Sequence, residues 1–282
     1  MSLAVICGVD RDESSLRAAA LAATLADELG GHVVLAHVVP FRPSVVPSIV
    51  PVGGRPITPS VMVELDEAEP AAAFAAVGEA IDGALVEEVV ERGDPPSRLG
   101  AVARERGAAL IVVGTHGRSR VGTAVLGSVA QELVAGPAPC PVVVVGPQQY
   151  NADTTWLAPG PLVCGVDGSE ESGRAVTAAI ALAERLAAAL TFVAVGDDHD
   201  ARAAALEAAG RAAEASGVDA ELAAVRGDPA SMLSAAARER SAPLLVLGSR
   251  GRGPLRSAVL GSVGAAAIRC APCPVVLVPP TD

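Results

Sequence analysis

The hydrophobic pattern of the first 145 residues breaks into short strand-like runs separated by stretches of helical period. Residues 4–10 form a continuous apolar run of the kind expected for a strand buried on both faces. Further strands are predicted at His32 to Val39, Leu85 to Glu91, Leu110 to Gly114 and Pro141 to Val145. Between the first two strands, Leu21, Leu25 and Leu29 stand four apart, which marks the apolar face of a helix. A second helix is expected over roughly Met62 to Ile81, perturbed by Pro70. At Gly93-Asp94-Pro95 the Asp suits an N-cap and the Pro the first helical position, so a third helix starts there and runs to about Arg106. A fourth starts near Ser128. Strands and helices thus alternate, and right-handed crossovers fold such a chain into an open parallel sheet covered by helices on both faces.

The pattern then repeats. Val5-Ile-Cys-Gly-Val-Asp10 returns as Leu162-Val-Cys-Gly-Val-Asp167, and Gly93-Asp-Pro95 returns as Gly227-Asp-Pro229. From Gly93 to Ser128 against Gly227 to Ser262, 21 of 36 columns are identical without a gap, so the chain is a duplicated unit. Ala178, Leu182 and Leu186 fall in the columns of Leu21, Leu25 and Leu29. The first copy carries extra sequence around Pro40 to Ser60, whose prolines predict a long loop. We divide the chain into a first domain at 1–147, a linker at 148–160 and a second domain at 161–282.

Composition narrows the chemistry. With 51% hydrophobic and 19% charged residues among 282, there is ample material for two cores. A net charge of −11 and 2% aromatics argue against a nucleic-acid surface, which needs clustered positive charge and stacking platforms. All 21 basic residues are arginine, which excludes a Walker-A lysine, a Schiff-base lysine and a lysine general base. No secretory leader or membrane span is visible, and the five cysteines do not suit a disulfide scaffold, so a cytoplasmic location is expected.

One motif carries chemistry, and it occurs twice. Gly114-Thr-His116-Gly117-Arg118 is followed, after eight intervening residues, by Gly127-Ser128. Gly248-Ser-Arg250-Gly251-Arg252 is followed at the same spacing by Gly261-Ser262. Glycines directly after a buried strand let backbone N–H groups approach an anion with no Cβ in the way. A helix opening at Gly-Ser then offers its free N–H groups and positive dipole end to a phosphate. The Ser hydroxyl adds a donor, and Arg118 adds a delocalised charge suited to phosphate oxygens.

On these two Gly-x2-Gly-x9-Gly-Ser segments, the Val-Asp that ends the first strand of each unit, and the closing Cys-Pro-Val-Val strands, the sequence resembles the tandem universal stress proteins of the ATP-binding branch. The resemblance implies two Rossmann-like five-stranded parallel sheets of order 3-2-1-4-5. It also implies ATP with Mg²⁺ as ligand and a stress-response role. It points to Asp10 and Asp167 at the adenine–ribose end, with Val9 and Val166 against the base and Val38 as a further adenine contact. Val195 takes that place in the second unit, where the usual His-Val pair is missing. Ribose and phosphate contacts are implied for Gly114, His116, Gly117, Arg118, Gly127, Ser128 and Val129. The second unit would use Gly248, Arg250, Gly251, Arg252, Gly261, Ser262 and Val263. Read from the residues alone, Asp10 equally suits a helix cap, because a cap would be duplicated too.

No catalytic base stands out, and neither unit holds a nucleophile elbow or a zinc-helix motif. Cys270-Ala-Pro-Cys273 reads as core or loop cysteine, since Cys140 aligns with Cys273 and has no partner. Asp197-Asp-His-Asp200 reads as a solvated loop. The expected activity is therefore nucleotide holding with at most slow hydrolysis. The alternative is an interaction scaffold in which one or both sites are vestigial, with an unidentified regulatory protein as partner. Finally, bare edges at Val142 to Val145 and Val275 to Val278 would invite aggregation. We expect them to pair antiparallel, packing the halves as a pseudo-dimer; pairing with a second chain, as a homodimer, is the alternative.

Overall fold

A computed structural model describes residues 3–40, 68–81, 83–115, 126–146, 149, 157, 159–251 and 260–280. The first half runs β1 (Ala4–Gly8), α1 (Glu13–Glu28), β2 (His32–Val39), α2 (Ala68–Val77, prolonged by a 3-10 turn at Gly78–Ile81), β3 (Val86–Arg92), α3 (Pro95–Glu105), β4 (Leu110–Gly114), α4 (Ser128–Ala135) and β5 (Val142–Val145). The second repeats it as β6 (Leu162–Val166), α5 (Glu170–Arg185), β7 (Leu190–Val195), α6 (His199–Ala215), β8 (Ala220–Val225), α7 (Pro229–Glu239), β9 (Leu245–Gly248), α8 (Ser262–Cys270) and β10 (Val275–Val278). Pro70 lies in the first turn of α2 as described, where its missing N–H costs no helical bond. The earlier part of the expected helix, and the Pro40 to Ser60 loop beyond Pro40, lie outside the described residues.

Each half has the order 3-2-1-4-5, and the two sheets join into one of ten strands, β3-β2-β1-β4-β5-β10-β9-β6-β7-β8. Neighbours within each half are parallel. The seam is the expected antiparallel pair, with Val276 opposite Val143, Val275 opposite Val144 and Leu277 opposite Val142. Successive side chains of a strand point to opposite faces, so Val143 and Val145 enter one core layer and Val142 and Val144 the other. One layer takes its helical residues from α1, α2, α5 and α6, the other from α3, α4, α7 and α8, and both run across the seam. The outermost strands bury little, and β3 carries Glu87, Glu88, Glu91 and Arg92, charges that discourage pairing with another chain.

Polar contacts reinforce the seam. Gln149 accepts from the Gly146 amide at 2.7 Å and donates to the Cys273 carbonyl at 2.6 Å. Arg250 Nη2 donates to the Ala135 carbonyl, in the last turn of α4, at 2.6 Å. A hydrogen bond from a charged donor to an orphan helix carbonyl contributes ~1.5–3 kcal/mol. Arg250→Ala should therefore lower the unfolding free energy by about that amount in urea titration. An unchanged midpoint would mean that this contact does not hold the halves. No helix of the described residues is long and apolar enough to cross a membrane.

Candidate functional site

All strands of one half point the same way, so their carboxyl ends open a crevice between β1 and β4, where the chain order reverses. Glycine closes β4 because α1 comes too near for anything larger: a Cβ on Gly114 would lie 2.8 Å from the Ser14 carbonyl oxygen. Gly248 at the end of β9 is in the same position, 2.9 Å from the Glu171 carbonyl.

The turn leaving β1 is built around Asp10. Its Oδ1 accepts from the Ser15 hydroxyl at 2.6 Å and the Asp12 amide at 3.0 Å, while its own amide donates to Ser15 Oγ at 2.9 Å. The helix cap is Asp12, which accepts from the amides of Ser14 and Ser15. In the second half Asp167 accepts from the amide and hydroxyl of Ser169, and Ser169 is the cap of α5. Asp10 and Asp167 are thus not caps; they brace the turn two residues earlier. Ser15 and Ser172 were not foreseen, although each stands five residues after its aspartate in both copies.

Burial, with the nearby charge of Asp10, pushes the Asp12 carboxyl above the ordinary carboxylate range despite the opposing bonds from Ser14 and Ser15. A carboxyl whose folded pKa is raised favours the folded state at low pH, and that stability is lost as pH rises through the folded pKa. Asn caps as well as Asp without the charge. Asp12→Asn should therefore match or exceed the wild-type melting temperature at pH 7, whereas Asp12→Ala should cost about 1 kcal/mol. A marked loss in Asp12→Asn would contradict this.

The helix starts separate into two kinds. Side chains of Asp12, Asp94, Ser169, Asp198 and Asp228 cap α1, α3, α5, α6 and α7. The N-caps of α4 and α8 are Gly127 and Gly261, neither with a side-chain cap bond. Their backbones match at φ −60°, ψ 151° and φ −60°, ψ 149°. Each amide donates back across the loop, Gly127 to Thr115 at 2.5 Å and Gly261 to Ser249 at 2.8 Å. The first turn of a helix leaves N–H groups without intrahelical partners, at its positive end, where an anion is favoured.

In the first half these parts surround one cavity of ≈350 Å³. Of the predicted residues, Val9, Asp10, Val38, Gly114, Gly127, Ser128 and Val129 line it. His116, Gly117 and Arg118 lie outside the described residues, as does Arg252 in the second half. His37 and Glu69 line the cavity too and were not singled out in the sequence. His37 is buried among strand residues, its Nδ1 2.8 Å from the Val9 carbonyl.

In the second half Val166, Val195 and Gly248 end β6, β7 and β9, and Ser262 and Val263 open α8 behind Gly261. Gly251 lies against Asp167, whose Oδ2 would be 2.9 Å from an added Cβ. Arg250, expected near the phosphates, donates through Nη2 to the Ala135 carbonyl at the seam.

A larger cavity, ≈550 Å³, lies between the halves beside Leu3, Leu110 and Pro141. It borders the amino ends of β1, β4 and β5, opposite the crevice where open α/β sheets take their ligands. All five cysteines are free, and burial pushes the Cys140 and Cys273 thiols up to about 12. Within Asp197–Asp200, Asp198 caps α6. Among the described residues no group of three or more His, Cys, Asp or Glu is placed to hold a metal ion.

The profile of the universal stress protein family matches residues 1–146 and again 160–279. A universal stress protein of Mycobacterium tuberculosis strain H37Rv is 30% identical over 227 residues, 70% of this chain and 74% of that protein. Universal stress protein YxiE of Bacillus subtilis strain 168 is 29% identical over 143 residues, 42% of this chain and 97% of its own length. Among solved structures, a universal stress protein from Archaeoglobus fulgidus superposes with a TM-score of 0.71 at 19% identity, covering 98% of both chains, a likeness of fold.

Proposed function

The chain belongs to the universal stress protein family, which it matches twice, and on that premise we propose that it is a nucleotide-holding regulator of the stress response. Each unit, 1–147 and 161–282 about the 148–160 linker, holds one nucleotide, ATP, at the carboxyl ends of its strands. The observation that carries this reading is the pair of uncapped helix starts, Gly127-Ser128 and Gly261-Ser262, in a chain that caps five other helices with side chains. A phosphate supplies what those side chains supply elsewhere, acceptor oxygens for first-turn N–H groups.

In the first cavity, Val9 and Val38 offer an apolar wall for a base, and Asp10 a carboxylate suited to ribose hydroxyls. Mg²⁺ would neutralise phosphate charge and would be carried in with the phosphates, since the protein presents no carboxylate cage of its own among the described residues. The same residues bind and orient, and none is placed to activate a water, so hydrolysis is at most slow. The site acts in the cytoplasm as a sensor whose occupancy is read by a protein partner.

Heat-denaturing the purified full chain should release nucleotide into the supernatant, and ATP added to stripped protein should raise its melting temperature. A chain that purifies free of nucleotide and melts identically with and without ATP would be a scaffold instead. Rapid turnover would make it an enzyme.

A further inference from the structure

The larger cavity is a groove between the halves, and the duplication gives it a twin. Leu3, Leu110 and Cys140 line it from the first half, α5 walls it from the second, and Pro279 stands beside them. In the repeat, Leu3 corresponds to Gly160, Cys140 to Cys273 and Pro279 to Gly146. The seam is antiparallel, so the twin lies at its other end, beside α1.

The protein's own linker enters the twin. It leaves β5 at Gly146 and reaches β6 through Gly160, the two residues that match Pro279 and Leu3. Gln149 is 4% exposed, accepts from the Gly146 amide and donates to the Cys273 carbonyl. Gly146 and Cys273 are opposite one another if the seam register is continued, so the side-chain amide bridges a pair that the strands do not close themselves. Further along, Leu157 packs against the core layer that includes α1, and Gly160 lies on the turn after α7, where an added Cβ would come 2.5 Å from the Arg240 carbonyl oxygen.

The open groove keeps this frame with nothing in it. The same register sets Cys140 opposite Pro279, and proline has no N–H to give. Among the described residues the Cys140 carbonyl accepts no hydrogen bond, whereas its twin at Cys273 takes the Gln149 amide. On the wall, Thr177, Ala181 and Arg185 stand one helical turn apart and are exposed. Arg185 takes the place of Glu28 in α1, and among the described residues it enters no ion pair. From Arg174 to Arg185 the wall is ~16 Å long, the span of about five extended residues.

We propose that this groove docks an extended, acidic segment of a partner protein, held as the linker is held in the twin. An N–H of the segment, from a side-chain amide or the backbone, meets the Cys140 carbonyl. Apolar residues cover Leu3 and Leu110, and a carboxylate faces Arg185. The occupant is a chain segment because a chain segment enters the twin, and it is acidic because arginine stands where the twin has glutamate. The surface lies apart from the nucleotide crevice, so this inference stands or falls independently of nucleotide binding.

The linker itself supplies the probe: residues 146–160 contain Gln149, one carboxylate at Asp153 and no basic residue. Fluorescence anisotropy of this labelled synthetic peptide, titrated with the full chain, tests the proposal. The peptide should bind more tightly than a scrambled peptide of the same composition, and its Gln149→Ala form should bind more weakly. Ala181→Trp in the protein, which puts bulk into the groove from an exposed position, should weaken binding about tenfold or more. Arg185→Glu, which installs the residue type of Glu28, should weaken it about 2- to 5-fold. Both side chains are exposed, so melting temperatures should stay near wild type and report that the fold survives. A peptide that binds no better than its scrambled form, or equally well to both variants, overturns the proposal. A groove that takes octanoate but not the peptide is a small-molecule site, which overturns it too.

Discussion

Val143→Asp is expected to leave the chain unable to fold to a stable, soluble form. Val143 is fully buried at the middle of the ten-stranded sheet, opposite Val276 across the antiparallel seam. Losing a buried valine forfeits about 1.5–3 kcal/mol of apolar burial, and an unpaired carboxylate in that environment costs several more. Stabilities of folded domains are about 5–15 kcal/mol, so the substitution removes most of the margin. Val276→Asp should behave alike, because the two side chains share one core layer. Val90→Asp is the control: Val90 lies on the outermost strand and is 46% exposed, so the same change should alter stability by about 0.5 kcal/mol or less. Soluble yield and urea midpoints read the comparison. A Val143→Asp chain of unchanged size and midpoint would mean that this strand is not the seam.

The second large effect is on ligand rather than fold. Gly127→Val should abolish nucleotide-dependent stabilisation of the first site while leaving the free protein's melting temperature almost unchanged. At φ −60°, ψ 151°, Gly127 occupies extended backbone open to any residue, so valine introduces no backbone strain. Its branched side chain instead stands at the mouth of α4, over the N–H groups assigned to phosphate. A ligand at 100 times its dissociation constant stabilises the folded state by about 2.7 kcal/mol, and that shift should vanish. If Gly127→Val is stabilised by ATP as strongly as wild type, the phosphates are misplaced here.

The fold was legible because its signals were redundant. Two strands fall where the hydrophobic runs put them, His32–Val39 and Leu110–Gly114, and α3 begins on its Asp-Pro pair. The seam was legible from four consecutive valines at an edge that could not stay bare. Much of the first site was legible because both copies preserve its glycine spacing. What escaped notice lacked such redundancy. Asp10 and Asp12 are both plausible caps in sequence, and only the turn geometry selects Asp12. His37 sits in a run of valines and has Ala194 as its counterpart, so comparing the repeats pointed away from it. Arg250 lies between two glycines of the loop, yet its guanidinium reaches a carbonyl 115 residues away in sequence, a contact no local pattern encodes.

The central claim is that the first turns of α4 and α8 receive phosphate. Backbone amide chemical shifts of the isotope-labelled full chain test it most directly, through Ser128 and Val129 in the first half and Ser262 and Val263 in the second. Adding ATP should move the Ser128 and Val129 amides and those of Ser262 and Val263, whereas adenosine, which lacks phosphate, should leave these amides nearly in place. Shifts confined to the cavity between the halves, or equal shifts with nucleoside and nucleotide, would contradict the account.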